Sequence, residues 1–278
     1  MAKGSLQERS TRFLYTTGFG RLLLRALVRP GLSKAAGAFL SMPLSKPLIG
    51  PFVRNHGINL EQFLDAPYRS YNDFFCRRIR PELRPICPDD DALVSPADSL
   101  LTVMPITASG TFLLKGTAYT AASLLQDEAL AARYLGGYAF LFRLTVDDYH
   151  RYCFPASGQT AAPVRIPGVL HTVAPLANEL FPIYHENTRE YTLLETERFG
   201  TLLCMEVGAM LVGRIVNHPL TGSVAKGQEK GYFQFGGSTV VVLAEPGRVT
   251  VSPELLQTGA AGTETPVLYG QAVARSAR

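Results

Sequence analysis

The feature that most constrains the fold is a series of short apolar runs that begins near residue 92 and continues to residue 244. Such runs, rich in β-branched and aromatic residues and bounded by turn residues, are typical of β-strands. The predicted strands span 99–104, 109–115, 138–145, 164–174, 190–197, 201–216 and 238–244. Glycine-containing turns lie between or beside them, at Ser109-Gly110, Gly136-Gly137, Phe199-Gly200 and Pro246-Gly247. A chain with this many short strands is expected to form a mainly antiparallel β core.

Three segments of this region have a more specific interpretation. The segment 192–208 predicts a hairpin that turns at residues 198–200. Residues 120–134 predict a helix with Thr120 as its N-cap, because a threonine hydroxyl can accept a hydrogen bond from the first helical turn. In the C-terminal stretch only residues 265–270 look like a strand.

The first fifth of the chain differs from the rest in charge and in pattern. Residues 1–55 contain nine lysines and arginines and one glutamate, whereas the whole chain has a net charge of only +4. Arg21, Arg25 and Arg29 recur every four residues beside leucines, which places them on one helical face. Proline and glycine divide residues 1–66 into short pieces. A basic, apolar arm of this kind suits an in-plane anchor on an anionic phospholipid membrane, and packing against the protein's own body or a partner subunit is the alternative.

These patterns predict an α+β protein, with a helical basic N-terminal arm on a mainly antiparallel β core. The predicted division is an arm over 1–66 and a β-rich domain over 67–278. Between them, 72–79 is predicted to be a short helix and 80–88 an extended connector stiffened by proline. No transmembrane helix and no signal peptide are predicted.

The cysteines show no pattern that predicts a metal site or a dithiol redox site, because no two form a C-x-x-C pair. We expect no metal in this protein, since metal-ligand spacing is not seen in the sequence. Three of the cysteines are interpreted as structural thiols in a reducing compartment. The four are Cys76, Cys87, Cys153 and Cys204.

The segment 232–243, YFQFGGSTVVVL, is where the sequence points to chemistry. Gly236 and Gly237 allow backbone geometries closed to other residues, and Ser238 lies where a loop becomes a strand. The hydroxyl of Ser238 could attack the carbonyl of Gly237 and turn the amide into an ester, aided by local strain. Elimination would then leave dehydroalanine, which hydrolyses to a pyruvoyl group and ammonia. Taken alone, however, Gly-Gly-Ser-Thr predicts only a turn before a strand.

Five sequence blocks in a fixed order make the interpretation specific. They are FFCRRIRPELRPI (74–86), SPAD (95–98), DYHRYCFP (148–155), VGAMLVGRI (207–215) and FGGST (235–239). Each resembles a block of the pyruvoyl-dependent phosphatidylserine decarboxylase proenzyme family, and the resemblance runs through about 70–243.

The resemblance implies a triad of Asp98, His150 and Ser238. His150 would act as general base toward Ser238, and Asp98 would orient the imidazole and favour its charged form. Cleavage between Gly237 and Ser238 would give a large and a small subunit, with Ser238 converted to a covalent pyruvoyl cofactor. Taken separately, Asp98 would be interpreted as a turn aspartate and His150 as a structural histidine.

The resemblance also implies a reaction and its setting. A Schiff base between the pyruvoyl carbonyl and the amine of phosphatidylserine would permit loss of carbon dioxide, and His150 would return a proton to give phosphatidylethanolamine. The expected protein is a peripheral membrane enzyme, on the cytoplasmic face of the cell membrane, that binds no nucleic acid. Homo-oligomerisation stays open. Four arginines could meet phosphate or carboxylate, or form a solvated face: Arg77, Arg78, Arg80 and Arg84.

One departure from the family pattern concerns the position three residues after His150. The family has a second histidine there, and this chain has Cys153. The preferred interpretation is that His150 serves both cleavage and decarboxylation. His171 is the alternative that could share the work, and a reactive Cys153 is a further one.

Two other functions remain open at this point. The first is a pyruvoyl decarboxylase of a soluble amino acid, against which the basic arm argues. The second is a non-catalytic, membrane-bound β-domain with an intact chain and an idle Ser238.

Overall fold

The computed structural model describes residues 12–14, 16–27, 30–114, 117–169, 186–208, 214–234 and 238–277. The helices are α1 (Gly18–Leu27), α2 (Pro30–Leu40), α3 (Ile49–His56), α4 (Tyr71–Phe75), α5 (Ala121–Leu125), α6 (Glu128–Ala132) and α7 (Pro253–Ala260). Short 3₁₀ helices span Pro43–Leu48, Leu60–Gln62 and Pro81–Leu83. The strands are β1 (Ala92–Val94), β2 (Ser99–Pro105), β3 (Thr111–Leu114), β4 (Thr117–Thr120), β5 (Tyr138–Leu144), β6 (Arg151–Cys153), β7 (Gly158–Thr160), β8 (Val164–Ile166), β9 (Arg189–Thr196), β10 (Gly200–Val207), β11 (Arg214–Asn217), β12 (Gly222–Val224), β13 (Glu229–Gln234), β14 (Ser238–Ala244), β15 (Val249–Thr250), β16 (Thr265–Val267) and β17 (Ala272–Ser276).

A nine-stranded antiparallel sheet forms the body of the protein. Its strand order is β12-β7-β9-β10-β14-β5-β2-β16, with β8 paired to β9. Every residue of β14 is buried, which explains why this strand has a continuous apolar run instead of an alternating one. The register pairs Ser238 with Leu144 on β5 and Val240 with Glu206 on β10.

A second sheet, with strand order β11-β13-β6, packs against one face of the large sheet. Tyr152 and Phe233 of this second sheet belong to the same buried core cluster as Phe142 and Val240 of the large one. The backbone N–H of Phe233 donates to the carbonyl of His150 at 2.9 Å. Residues 235–237 connect β13 in the second sheet to β14 in the large sheet, so the segment predicted to be cut lies at a crossover between sheets.

The N-terminal segment packs on α4. The backbone N–H of Tyr71 donates to the Ser45 hydroxyl at 2.9 Å, and the Phe52 ring contacts the Tyr71 ring edge-on. Several large apolar side chains of this segment nevertheless stay exposed: Phe13, Phe19, Leu22, Leu23, Phe39, Met42, Leu44 and Leu48. Within the described residues, no helix has the length and apolar character needed to cross a membrane.

The α+β prediction is confirmed, with helices concentrated toward the N-terminus and antiparallel sheets after them. The hairpin prediction is also confirmed, because β9 and β10 pair with Gly200 opposite Thr196. The single strand predicted over 201–216 is wrong. β10 lies in the large sheet and β11 in the second, and 209–213 lie outside the described residues.

The predicted helix over 120–134 is two short helices. Thr120 caps α5 as predicted, accepting from the N–H of Ser123. The chain then breaks at Gln126, whose φ of 53° is left-handed, and Asp127 caps α6. A non-glycine residue in that conformation ends a helix, because the i→i+4 pattern cannot continue through it.

The two segments that join arm and core are shorter and more bent than predicted. The helix predicted over 72–79 ends at Phe75, and Ile79 instead bridges Phe63 in an isolated antiparallel pair. The connector over 80–88 contains a 3₁₀ turn. Near the C-terminus, α7 and β17 were not predicted, since alanine, glycine and threonine there show little periodicity.

Candidate active site

The three predicted site residues lie at the same end of the large sheet. β2 and β14 both pair antiparallel with β5, so β2 and β14 begin where β5 ends. Asp98 immediately precedes β2, Ser238 is the first residue of β14, and His150 follows the turn after β5. The sheet topology therefore gathers three segments that are distant in sequence.

Ser238 is fully buried, and its Oγ has no hydrogen-bond partner among the described residues. Its cross-strand neighbour on β5 is Leu144. Leaving a buried hydroxyl without a partner costs about 1–3 kcal/mol, so structural serines in protein interiors are normally paired. An unpaired hydroxyl at the first position of a central strand, beside the bond predicted to be cut, fits the functional interpretation of Ser238.

The side chain of Ser238 faces the second sheet. Val240 lies two residues further along β14 and shares its face; it pairs with Glu206, whose side chain is on the same face. Glu206 in turn accepts a hydrogen bond from Lys230 of β13 at 2.7 Å. This face of the large sheet is therefore the one next to the second sheet. His150 directly precedes β6, a strand of that second sheet.

His150 is held in one orientation and one tautomer. Its Nδ1 lies 2.9 Å from the carbonyl oxygen of Asp148, an atom that can only accept, so Nδ1 carries the proton of the neutral ring. The Phe75 ring packs on the imidazole, with 4.2 Å between centroids. Nε2 is consequently the nitrogen with the lone pair, which is what a general base requires.

The carboxylate of Asp98 is bound by Arg84 and by the backbone of Tyr269. Arg84 Nε lies 2.7 Å from Oδ1 and Nη2 lies 2.6 Å from Oδ2. The Tyr269 N–H donates to Oδ1 at 2.8 Å. Arg84 Nε also lies 3.0 Å from Oδ2, which completes the hydrogen bonds of the Asp98 carboxylate within the described part of the chain. Its charge is therefore fixed by an arginine, and its orienting role toward His150 stays a prediction.

A cavity of about 240 Å³ lies beside this ion pair and is lined by Arg84, Asp98, Asp148 and Tyr149, among others. Burial raises the pKa of Asp148 from 3.8 to about 6; hydrogen bonds from Thr145 oppose this shift, and the negative charge of Asp98 adds to it. The cavity is therefore lined by a carboxyl group, that of Asp148, which titrates near pH 6. Within the described residues, no cluster of histidine, cysteine, aspartate and glutamate is arranged to hold a metal ion.

Cys153, at the position where the resemblance implies a second histidine, is buried in the core. Its Sγ lies 3.9 Å from the carbonyl oxygen of Ser95, and burial raises its pKa to about 12. A neutral, enclosed thiol is a poor nucleophile and a poor base. His171, the other residue considered for this role, lies outside the described residues.

The four arginines of residues 77–84 have different environments. Arg77 is buried, and its guanidinium packs over the Phe63 ring at 4.3 Å. Arg78 is largely exposed, and Arg80 donates to the carbonyl of Glu61. The alternative of a solvated face therefore holds for Arg78 only, while Arg84 binds a carboxylate of its own chain.

Sequence reasoning did not single out Asp148, Glu206 or Lys230. For Glu206 a signal was present, since a lone carboxylate inside the apolar run TLLCMEVG must be either exposed or buried with a partner. For Asp148, which sits two residues from His150, nothing in the sequence separates it from its neighbour Asp147. The site thus combines a buried serine hydroxyl with no partner among the described residues, a histidine with a fixed tautomer and an aspartate held by an arginine. Such a set is suited to proton transfer at a buried nucleophile.

The sequence of the chain is similar to those of known proteins over most of its length. The family model for phosphatidylserine decarboxylase matches residues 71–275. Phosphatidylserine decarboxylase proenzyme 2 of Clostridium acetobutylicum is 40% identical over 94% of this chain and 90% of its own length. The phosphatidylserine decarboxylase proenzymes of Chlamydia caviae and Chlamydia felis are 38% and 36% identical, over 98% and 97% of this chain and 93% and 92% of their own lengths.

Proposed function

The chain belongs to the phosphatidylserine decarboxylase family, and from this premise we propose that it converts phosphatidylserine to phosphatidylethanolamine and carbon dioxide. The proposed enzyme first cuts itself between Gly237 and Ser238 and carries a pyruvoyl group made from Ser238. Its large and small subunits then remain together, because β14 of the small subunit lies between β5 and β10 of the large one.

The observation that carries this proposal is the buried Oγ of Ser238. It has no hydrogen-bond partner among the described residues and stands at the first position of a central strand. The surroundings fit a small uncharged carbonyl group, since Leu144 and Val240 are its neighbours on the same face. A pyruvoyl group at this position would be held by the pairing of β14 itself.

Self-cleavage requires three balanced steps. Oγ of Ser238 loses its proton to Nε2 of His150 and bonds to the carbonyl carbon of Gly237; the C–N bond breaks as the nitrogen of residue 238 takes up the proton. A base removes the Cα proton of residue 238, the Cβ–O bond breaks, and Gly237 departs as a carboxylate. Water hydrolyses the remaining enamine, which releases ammonia and leaves the pyruvoyl carbonyl.

Decarboxylation then uses the same residues. The pyruvoyl group would supply a carbonyl for the substrate amine and an electron sink for the electron pair left on the substrate when the carboxylate leaves as carbon dioxide. His150 holds the proton that returns to the substrate α-carbon, as the carbonyl of Asp148 fixes its ring. Asp98 favours the protonated imidazole through its negative charge, and Arg84 keeps that charge in place.

The N-terminal arm supports a lipid substrate. Its exposed leucines and phenylalanines provide an apolar surface, and exposed cations such as Lys46 and Arg54 accompany them. Short helices of this composition lie in the interface, with apolar side chains among the acyl chains and cations near phosphate. We therefore assign residues 1–66 to a peripheral anchor on an anionic membrane. Free thiols at the four cysteines suit its cytoplasmic face.

Intact mass spectrometry of the purified wild type beside Ser238→Ala tests the proposal. We expect the wild type to split after Gly237, a pyruvoyl mass at the start of the small fragment, and an uncut variant. Thr239→Val is the matched control, because the Thr239 hydroxyl is equally buried and also has no partner among the described residues, yet faces the other side of the strand. A folded wild type that stays whole would favour the non-catalytic β-domain.

The substrate is tested separately on the cleaved enzyme. Release of carbon dioxide from vesicles containing phosphatidylserine, but not from free serine, is the expected result. The reverse preference would support the pyruvoyl decarboxylase of a soluble amino acid and would leave self-cleavage intact as a conclusion.

A further inference from the structure

A buried polar cluster joins the two sheets, and none of its residues takes part in the proposed mechanism. Lys230 Nζ of the second sheet donates to Glu206 Oε2 of the large sheet at 2.7 Å and to Asn217 Oδ1 at 2.9 Å. Asn217 Nδ2 donates to Glu206 Oε2 at 3.1 Å and to Glu190 Oε2 at 3.0 Å. The Tyr152 hydroxyl donates to Asn217 Oδ1 at 3.2 Å. The cluster therefore ties β11, β13 and β6 to β9 and β10.

Burying the charged groups of this cluster costs desolvation free energy. The Glu206 and Lys230 side chains are only 0% and 4% exposed, and Glu206 Oε1 accepts no hydrogen bond from the residues that the structure describes. Burial raises the pKa of Glu206, with the charge of Lys230 opposing the shift. Well-packed apolar residues often stabilise such a position as much as a buried ion pair does or more. Stability alone is therefore a weak explanation for the cluster.

The position of the cluster suggests a different role. Glu206 pairs with Val240, two residues from Ser238 and on its face of the sheet. Tyr152 lies two residues after His150 on the second sheet. The cluster thus connects β10, the strand beside the serine, to β6, the strand that follows the histidine, and its members come from both sheets.

We propose that the Glu206–Lys230–Asn217 cluster is a positioning device that sets the two sheets in the one register in which His150 can take the proton of Ser238. This inference rests on the proposed self-cleavage. Apolar packing between sheets is not directional, so it tolerates small sliding movements. Charged hydrogen bonds of fixed length do not, and proton transfer needs heavy atoms within about 2.6–3.2 Å of each other.

The decisive variant replaces both charges, as Glu206→Met with Lys230→Met. Asn217 then keeps Glu190 and Tyr152 as partners, and no single charge is left buried. We expect a folded protein with wild-type circular dichroism that cleaves itself about tenfold more slowly or worse, because an error of about 1 Å in reacting groups can cost about a hundredfold in rate. Cleavage is followed during cell-free translation of the full chain, by conversion to two fragments.

A second ion pair on the same sheet provides the matched control. Arg143 of β5 donates to Glu264 at 2.8 and 2.6 Å, and both side chains are 14% exposed. Arg143 pairs with Thr239 and so lies on the face opposite Ser238. Arg143→Met with Glu264→Met is expected to cleave at the wild-type rate, which separates the position of an ion pair from its mere presence.

Glu206→Asp covers the case in which the double variant does not fold. It keeps the charge but shortens the link by one methylene, so slower cleavage in a folded protein is expected. Wild-type cleavage rates in either folded variant would overturn the positioning role and leave the proposed function standing. An uncut wild type would overturn both.

Discussion

Arg84 holds the carboxylate of Asp98 in a bidentate ion pair, with Nε 2.7 Å from Oδ1 and Nη2 2.6 Å from Oδ2. The two side chains are only 13% and 8% exposed. The planar guanidinium fork matches the carboxylate geometry, which a lysine cannot do. Asp98 therefore depends on Arg84 for both its orientation and the stability of its charge.

Removing Arg84 should damage both folding and cleavage. Arg84→Met leaves the Asp98 charge buried without its partner, and we expect the free energy of unfolding to fall by about 3 kcal/mol. Arg84→Lys keeps a charge but loses the fork, so an intermediate loss is expected. Thermal unfolding and the rate of self-cleavage measure the two effects.

Arg78→Met is the control for Arg84. The Arg78 side chain is 59% exposed and pairs with Glu229 only at 3.7 Å, so its removal should change stability by no more than about 0.5 kcal/mol. Equal stability and cleavage in Arg84→Met and Arg78→Met would show that the buried pair is dispensable.

Cys153 should prove unnecessary for cleavage. Because burial raises its pKa to about 12, almost no thiolate is present at neutral pH. Cys153→Ala is expected to cleave at the wild-type rate and to lose about 1 kcal/mol of stability through the missing sulfur. N-ethylmaleimide should label the partly exposed Cys87 of the native protein but not Cys153, as read by peptide mass mapping. A folded Cys153→Ala that stays uncut would assign the thiol a role in the chemistry.

The sequence was sufficient to predict the strands that carry a continuous apolar or alternating pattern. Ser238–Ala244 and Tyr138–Leu144 match their predicted spans almost residue for residue. Some short strands were not predicted, because three residues are too few to show a period; Arg151–Cys153 of the second sheet and Gly222–Val224 of the large sheet are examples. Their pairing depends on long-range contacts that a local pattern does not contain.

For the candidate site, the sequence predicted which residues would take part, and their roles stay predictions. The residue types of the triad follow from sequence blocks, and the sheet topology places all three at one end. The sequence did not show which hydrogen-bond donor would bind each carboxylate. Arg84 was one of four candidate arginines, and only the fold distinguishes it from the solvated Arg78.

Asp148 should make stability depend on pH below neutrality. Its pKa is raised from 3.8 in the unfolded chain to about 6 in the fold, so the folded state binds the proton more tightly. The contribution of Asp148 to the free energy of unfolding is therefore most favourable below pH 3.8 and is lost as the pH rises through about 6. Between low pH and pH 7, this contribution falls by about 3 kcal/mol at most.

Asp148→Asn removes this dependence while its amide oxygen can still accept from the Thr145 N–H. We expect the variant to be more stable than the wild type above pH 6 and equal to it near pH 4, as measured by urea unfolding across this range. Asp147→Asn, which alters a half-exposed neighbour, is the comparison. A stability difference that does not change with pH would mean that burial does not shift Asp148.

The exposed apolar side chains of the N-terminal arm should determine membrane binding. Leu22 and Leu44 are 62% and 75% exposed, and inserting a leucine among acyl chains is worth about 1.5–3 kcal/mol when complete. Leu22→Ser with Leu44→Ser should therefore weaken binding to vesicles by about a hundredfold or more. Cosedimentation with vesicles that contain an anionic phospholipid gives the partition coefficient.

Leu135→Ser with Val164→Ser controls for surface hydrophobicity in general, because these side chains are exposed but belong to the β-rich part of the chain. We expect that variant to bind vesicles like the wild type. Raising the salt concentration should weaken wild-type binding to anionic vesicles, since cations of the arm meet lipid phosphate and the attraction is screened within about 8–10 Å. If the two double variants bind equally well, the arm is not the anchor, and packing of the arm against the protein's own body or a partner subunit becomes the better interpretation.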